Sequence, residues 1–196
     1  MSDRQMACAS TAGKKRFDIP ILYRDHVRPD DCQTVREIIA SSGFFSPAEV
    51  DIAVELVQTR LAQGLPSGYY FLFAEQAAEV LGYTCFGPIP GTTVSYDLYW
   101  IAVRQPYRGA GLGGALLARS EQAIAAHGGQ RIYVETSSRP LYGPTHAFYN
   151  THGYRQAALL DDYYAPGDGK LIYVKVLPEA LGEMAPPVPH RQVVDT

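Results

Sequence analysis

Cysteine is scarce in this chain, and strong charge of either sign is missing. Its 196 residues include three cysteines, Cys8, Cys32 and Cys85, odd in number and far apart, which argues against both a disulfide framework and a thiolate metal cluster. The five histidines show no ligand spacing, so no metal is expected. No apolar run is long enough for a membrane span or a signal core, and the expectation is a cytoplasmic protein without a membrane partner. Seventeen Lys and Arg against twenty Asp and Glu give a net charge of -3. With no basic patch, electrostatic capture of nucleic acid is not expected. Lys14-Lys15-Arg16 is a short charge cluster and reads as part of a solvated tail. Internal repeats are also absent.

Apolar residue types make up 46% of the chain, ample for the core of a single domain. Residues 1–16 are small, polar and aperiodic, and residues 178–196 are proline-rich, so both are expected to be flexible tails around one domain at 17–177.

A first strand is predicted at 19–23. Pro29 is placed to open a helix with Asp30 and Asp31 in its first turn and Val35, Ile38 and Ile39 on its apolar face. Ser46-Pro47-Ala48-Glu49 is a capping box with proline at the first helical position. The stripe Val50, Ala53, Val54, Val57 and Leu61 follows, and Gly64 ends the helix. Strands are predicted at 69–74 and 80–86, then a long one at 93–103, and a helix carrying Leu112, Leu116, Leu117 and Ile124 up to Gly128-Gly129. A strand at 131–135 returns parallel to the long one in a right-handed crossover. Pro144 opens a short helix running to His152, and strands at 154–163 and 171–176 form a hairpin across 165–169.

The most informative stretch lies between the long strand and the helix after it. Arg108-Gly109-Ala110-Gly111-Leu112-Gly113-Gly114 is a glycine-rich turn leading into a helix N-terminus. Such a turn lets backbone N–H groups and the positive end of the helix dipole face a phosphate, and Arg108 can add a charged fork. Gly109, Gly111 and Gly114 also fit G-x-G-x-x-G, with Glu135 about 20 residues further on as the acid of a dinucleotide fold. Context argues against that alternative. Five residues separate strand from first glycine, the site is mid-chain, and too little sequence follows for a second βαβ half.

The other fit, R-x-x-G-x-G through Arg108, Gly111 and Gly113, resembles the pyrophosphate-binding motif of the GCN5-related N-acetyltransferase (GNAT) family. The resemblance covers roughly residues 17–177, and the element order β-α-α-β-β-β-α-β-α-β-β matches as well. It implies an α/β fold with a mixed, mostly antiparallel central sheet of about seven strands, a splayed parallel pair where the long strand meets the strand at 131–135, and about four helices. It further implies acetyl-CoA as cofactor, an amine acceptor and direct transfer in a ternary complex.

Acetyl transfer to an amine needs a proton acceptor, a stabilised oxyanion and a proton for the departing thiolate. Asp97 stands where the family often has a carboxylate base, although the histone-modifying members use the longer Glu, so the resemblance leaves two routes for the shorter Asp, directly or through an intervening water. A plain structural pairing with a loop or strand N–H is the alternative for Asp97. Phe148-Tyr149-Asn150-Thr151-His152-Gly153-Tyr154 resembles the family's F-Y-x-x-x-G-F/Y segment, which makes Tyr149 the expected acid, against the alternative of an ordinary core tyrosine. The same analogy assigns the oxyanion to backbone near Ile101 and the pantetheine amide to Val103, with Ala102 between them. Arg108, Gly109, Ala110, Gly111, Leu112, Gly113, Gly114 and Asn150 complete the expected cofactor contacts.

For the acceptor, Phe44, Phe45, Tyr96, Tyr99, Tyr142, Tyr163 and Tyr164 lie near elements that border the family's cleft, and Asp161 and Asp162 could meet an ammonium. The expected partner is a small-molecule or amino-acid-like primary amine, acting with a monomer or homodimer. A non-catalytic acyl-CoA-binding module is the rival from another class, and an NAD-dependent oxidoreductase the second.

Overall fold

The computed structural model describes residues 20–178. The expected tails at 1–16 and 178–196 fall outside that range except for Pro178. Strand β1 (Leu22–Arg24) leads to helices α1 (Asp31–Ala40) and α2 (Pro47–Gln63), then strands β2 (Tyr70–Gln76), β3 (Glu79–Pro88) and β4 (Ser95–Val103). Helix α3 (Leu112–Ala126), β5 (Arg131–Ser137), α4 (Gly143–Thr151) and the hairpin β6 (Arg155–Ala165) and β7 (Asp168–Val176) complete the chain. One seven-stranded sheet runs β1-β2-β3-β4-β5-β7-β6, and within it only β4 and β5 pair in parallel.

Local chemistry explains the helix starts. Ser46 accepts from the Glu49 N–H while Glu49 accepts from the Ser46 N–H, a reciprocal cap whose loss costs about 1 kcal/mol. Val50, Ala53, Val54 and Val57 are buried as the period requires, but Leu61 is 38% exposed, because the last turn of α2 runs past the core. Helix α1 starts two residues after Pro29, with Asp30 as N-cap. Its first-turn Asp31 is no solvated dipole partner. It is 2% exposed and paired with Arg24 of β1 at 2.8 Å, tying helix to strand.

The sheet separates two cores. Phe71, Phe73, Tyr83, Cys85 and Ala102 face α1 and α2, whereas Tyr96, Leu98, Leu117, Ile132, Val134 and Tyr149 pack on the side of α3 and α4. In β4 the alternation is interrupted once. Cys85 faces Trp100 and Phe86 faces Leu98, so Tyr99 is an extra residue, a β-bulge. Leu98 before the bulge and Ile101 and Val103 after it therefore share the α3 side.

Strands β4 and β5 are in register only at Ser95–Arg131, Tyr96–Ile132 and Asp97–Tyr133. Beyond Asp97 they part, and the second half of β4 has no neighbour on that side. Arg104 donates its backbone N–H to Leu81 of β3. Alternation then sends the Ala102 N–H to β3 as well and turns the N–H groups of Ile101 and Val103 into the gap.

Candidate active site

The glycine turn forms the start of α3. Gly109 and Gly111 have φ of +75° and +86°, a region that costs a residue with a Cβ about 1–2 kcal/mol. Gly111 is the N-cap and offers no side chain, and the first intrahelical bond is Ala115 N–H to Gly111 C=O at 3.1 Å. The N–H groups of Leu112, Gly113 and Gly114 are thus the free donors of the first turn. Leu112 contributes backbone alone, since its side chain is buried.

In front of these donors lies a groove of about 330 Å³ lined by Val103, Arg108, Gly109, Gly111, Gly113, Gly114, Phe148 and His152. A Cβ on Gly114 would come within 2.7 Å of His152 Nε2, and one on Gly113 within 3.5 Å of Phe148, so the glycines make room for α4 to close the groove. Donors, dipole and absent side chains fit a pyrophosphate. Arg108 donates from Nε to the Val103 carbonyl at 3.0 Å, and its guanidinium lies 5.8 Å from the Phe44 ring.

Two expected cofactor contacts lie outside this groove. Ala102 is buried against α1 and α2 with its N–H turned to β3, so it does not face the gap. Asn150 is exposed and does not line the groove: Phe148 and His152 stand four apart on one helical face, and position 150 lies about 200° round from 148. Tyr149 is buried, its ring 5.4 Å from Tyr154 and 5.8 Å from Tyr173, and burial pushes its hydroxyl well above the usual tyrosine range.

The opposite side of the sheet carries the charge. Asp97 points away from the α3 core, as its alternation with Tyr96 and Leu98 requires, and burial raises its carboxyl from 3.8 to about 6, with the charge of Glu135 adding and that of Lys170 opposing. Glu135 is on the same side of β5, and Lys170 of β7 donates to its Oε2 at 2.7 Å. The Lys170 ammonium also lies 3.8 Å from the centre of the Tyr163 ring.

Most of the expected acceptor aromatics are paired, and Tyr99, Tyr163 and Tyr164 adjoin this cluster. Tyr99 meets Tyr69 at 5.5 Å, Phe45 meets Trp100 at 5.0 Å, and Tyr163 meets Tyr164 at 5.0 Å. Phe44 meets Tyr142 at 5.9 Å, and the Tyr142 hydroxyl donates to the Phe44 carbonyl, joining the α1–α2 loop to the segment before α4. Asp161, Asp162, Tyr163 and Tyr164 bulge out of β6 between the pairs Leu160–Lys170 and Ala165–Asp168. Tyr96 is the exception among the expected acceptor residues. It is buried on the α3 side with its hydroxyl bonded to His127, because the pleat turns it away from Asp97.

A sequence model of the acetyltransferase (GNAT) domain matches residues 67–156. A solved structure from Desulfovibrio desulfuricans, of a protein assigned to the same family, is 41% identical; the match covers 80% of this chain and 99% of that one, with a TM-score of 0.79. The chain belongs to the GNAT family of acetyltransferases.

Among curated relatives, an N-alpha-acetyltransferase of Sulfolobus acidocaldarius is 29% identical over 111 residues, 52% of this chain and 65% of that protein, so the match spans just under two thirds of that relative. The ribosomal-protein-S18-alanine N-acetyltransferase of Escherichia coli superposes with a TM-score of 0.66 at 18% identity, covering 84% of this chain and 97% of that one. An aminoglycoside 6'-N-acetyltransferase complexed with coenzyme A gives 0.65 at 16%, covering 81% and 99%. At such identities these two share the GNAT fold, and that is all they establish. Among the described residues no helix is long and apolar enough to cross a membrane, and no cluster of potential metal ligands occurs.

Three residues of the candidate site are not singled out by the sequence. Glu135 stands in the sequence reading only as the acid of the dinucleotide alternative, His152 only as the end of a helix and a member of the Phe148–Tyr154 motif, and Lys170 not at all. His152 was open to detection, since it stands one helical turn from Phe148. Lys170 was not, because it reaches Glu135 through sheet order, 35 residues away.

Proposed function

We propose that this GNAT chain transfers an acetyl group from acetyl-CoA to a primary amine of a small, amino-acid-like acceptor, with both reactants held at once. One observation carries the reading: a phosphate-fitting groove on one side of the sheet and an unpaired carboxylate on the other meet at the gap between β4 and β5.

When bound, acetyl-CoA supplies an acetyl group activated as a thioester. The N–H groups of Leu112, Gly113 and Gly114 hold the pyrophosphate, and the Val103 N–H holds the pantetheine amide. The Ile101 N–H points into the gap to polarise the acetyl carbonyl. Asp97, at about 6, is ionised at neutral pH yet basic enough to take a proton from the acceptor ammonium, directly or through a water. Tyr149 keeps its proton at any working pH and is the donor on the α4 side, where the thiolate departs. Asp97 and Glu135 against the single Lys170 leave the acceptor face net negative, which favours a cationic amine.

The test is an amine panel with acetyl-CoA, reading thiol release, for wild type and Asp97→Asn. Turnover of at least one amine is expected, with Asp97→Asn losing most below about pH 8 and least at high pH, where the free amine is abundant. Binding of CoA without turnover of any amine would instead describe an acyl-CoA-binding module.

A further inference from the structure

Two carboxylates share the acceptor face, and the structure treats them differently. Asp97 stands in the last paired position before β4 and β5 separate, opposite Tyr133. Glu135 follows two residues later on the same side of β5, about 7 Å along the strand. Glu135 has a partner, the Lys170 ammonium at 2.7 Å. Asp97 has no hydrogen-bond or ion-pair partner among the described residues.

Lys170 is held firmly. It is 8% exposed, and its ammonium sits 3.8 Å from the Tyr163 ring centre and 6.0 Å from that of Tyr164 as well as against Glu135. Anchored by an ion pair and two rings, it has little freedom to follow an acceptor.

We propose that the Glu135–Lys170 pair is a positioning device for charge: each member acts on Asp97 with opposite sign, and together they set the pH at which Asp97 becomes a base. This rests on the reading of Asp97 as the proton acceptor. The remaining groups facing Asp97 are few. Tyr99 of its own strand approaches it, with Tyr69 and Cys85 standing behind Tyr99; Tyr133 of β5 is opposite it in register, and Tyr163 and Tyr164 lie beyond Lys170. Burial pushes Tyr99 and Cys85 upward, so neither is charged near neutrality. Arg139 and Asp168 lie beyond, paired with each other at 3.1 Å. Glu135 and Lys170 are therefore the two charges near Asp97 within the site. Glu135 accepts a hydrogen bond from Lys170, and its charge favours the neutral form of Asp97, while that of Lys170 favours the ionised form.

The arrangement predicts opposite responses from two neighbours. Lys170→Met moves the acidic limb of the kcat/KM profile to higher pH, and Glu135→Gln moves it to lower pH, each by about one pH unit. The double variant, with both charges removed, returns towards wild type, and Lys170→Arg leaves the limb in place. Structural damage would not give shifts of opposite sign that cancel.

The same variants are followed by carbon-13 NMR titration of the Asp97 carboxyl in the folded, cofactor-free protein. Opposite shifts of the Asp97 titration, mirrored in kcat/KM, are expected. Asp97 titrations that stay put or move the same way in both single variants overturn the proposal. If Asp97 shifts as expected but Asp97→Asn leaves the acidic limb unchanged, the tuning stands and the reading of Asp97 as base falls. Loss of activity at every pH in Glu135→Gln, with Asp97→Asn active, makes Glu135 the base and overturns both.

Discussion

The two sides of the central sheet are built from different materials. On the α3 and α4 side the groove is made of backbone: glycines 109, 111, 113 and 114, three N–H donors and the edge of β4, with few side chains closing over them. On the α1 and α2 side the candidate site is made of side chains, Asp97, Glu135 and Lys170, with Tyr99, Tyr163 and Tyr164 beside them. A site that needs backbone geometry constrains which residues its own segment tolerates and so leaves a local pattern. A site of side chains drawn from three strands constrains only where those strands end up.

Four changes would break or sharpen this contrast. The largest effect is expected from Tyr149, the proposed proton donor, which packs on the α3 and α4 side. Tyr149→Phe should keep stability and CoA affinity but lower kcat by roughly 10² to 10⁴, measured at saturating substrates with chemistry limiting. A drop below about fivefold would show that another group or solvent supplies the proton.

Next is Gly111→Asp, which should weaken CoA binding about 100-fold by calorimetry. Its carboxylate opposes the pyrophosphate, and φ of +86° adds about 1–2 kcal/mol of strain. No atom lies within 4 Å of a Cβ there, so the cost comes from conformation and charge, and the fold should survive. Gly114→Ala should be milder, about tenfold in CoA affinity, because the new methyl group displaces the His152 ring that lines the groove. An unchanged affinity would remove His152 from the cofactor site.

The smallest effect concerns the side-chain half and is read in stability. A carboxyl raised from 3.8 to about 6 opposes folding fully above pH 6, and the penalty disappears below 3.8, where it is protonated in both states. Asp97→Asn should therefore stabilise the protein by about 1 kcal/mol at pH 7.5, after allowance for partial solvent exposure, and by nothing at pH 3.5. Thermal melts at both pH values check this.

The contrast also explains what was legible in the sequence. The element order, the capping box at Ser46 and the glycine turn before α3 are local patterns, and each lies close to its expected bounds. The Glu135–Lys170 pair was not legible, because its partners are brought together by the strand order β5-β7, which no segment encodes alone. Nor was the inward turn of Asp31, which looked like an ordinary first-turn acid until Arg24 supplied its partner from another element. Tyr96 was misassigned for a simpler reason: it neighbours Asp97 in sequence, and in a strand neighbours face opposite ways.

The extra residue at Tyr99 has a bearing on how this strand could have diverged. Point changes in β4 leave every side chain on its own side of the sheet. Deleting the bulge would rotate Ile101 and Val103 by half a pleat relative to Asp97, pointing their N–H groups at β3 and bringing those of Trp100 and Ala102 into the gap with different side chains on each face. Substitution can thus change β4 one side chain at a time, whereas a one-codon deletion would exchange the faces of every residue beyond it in a single step, and descendants of this chain should vary in the letters of that strand far more than in its length.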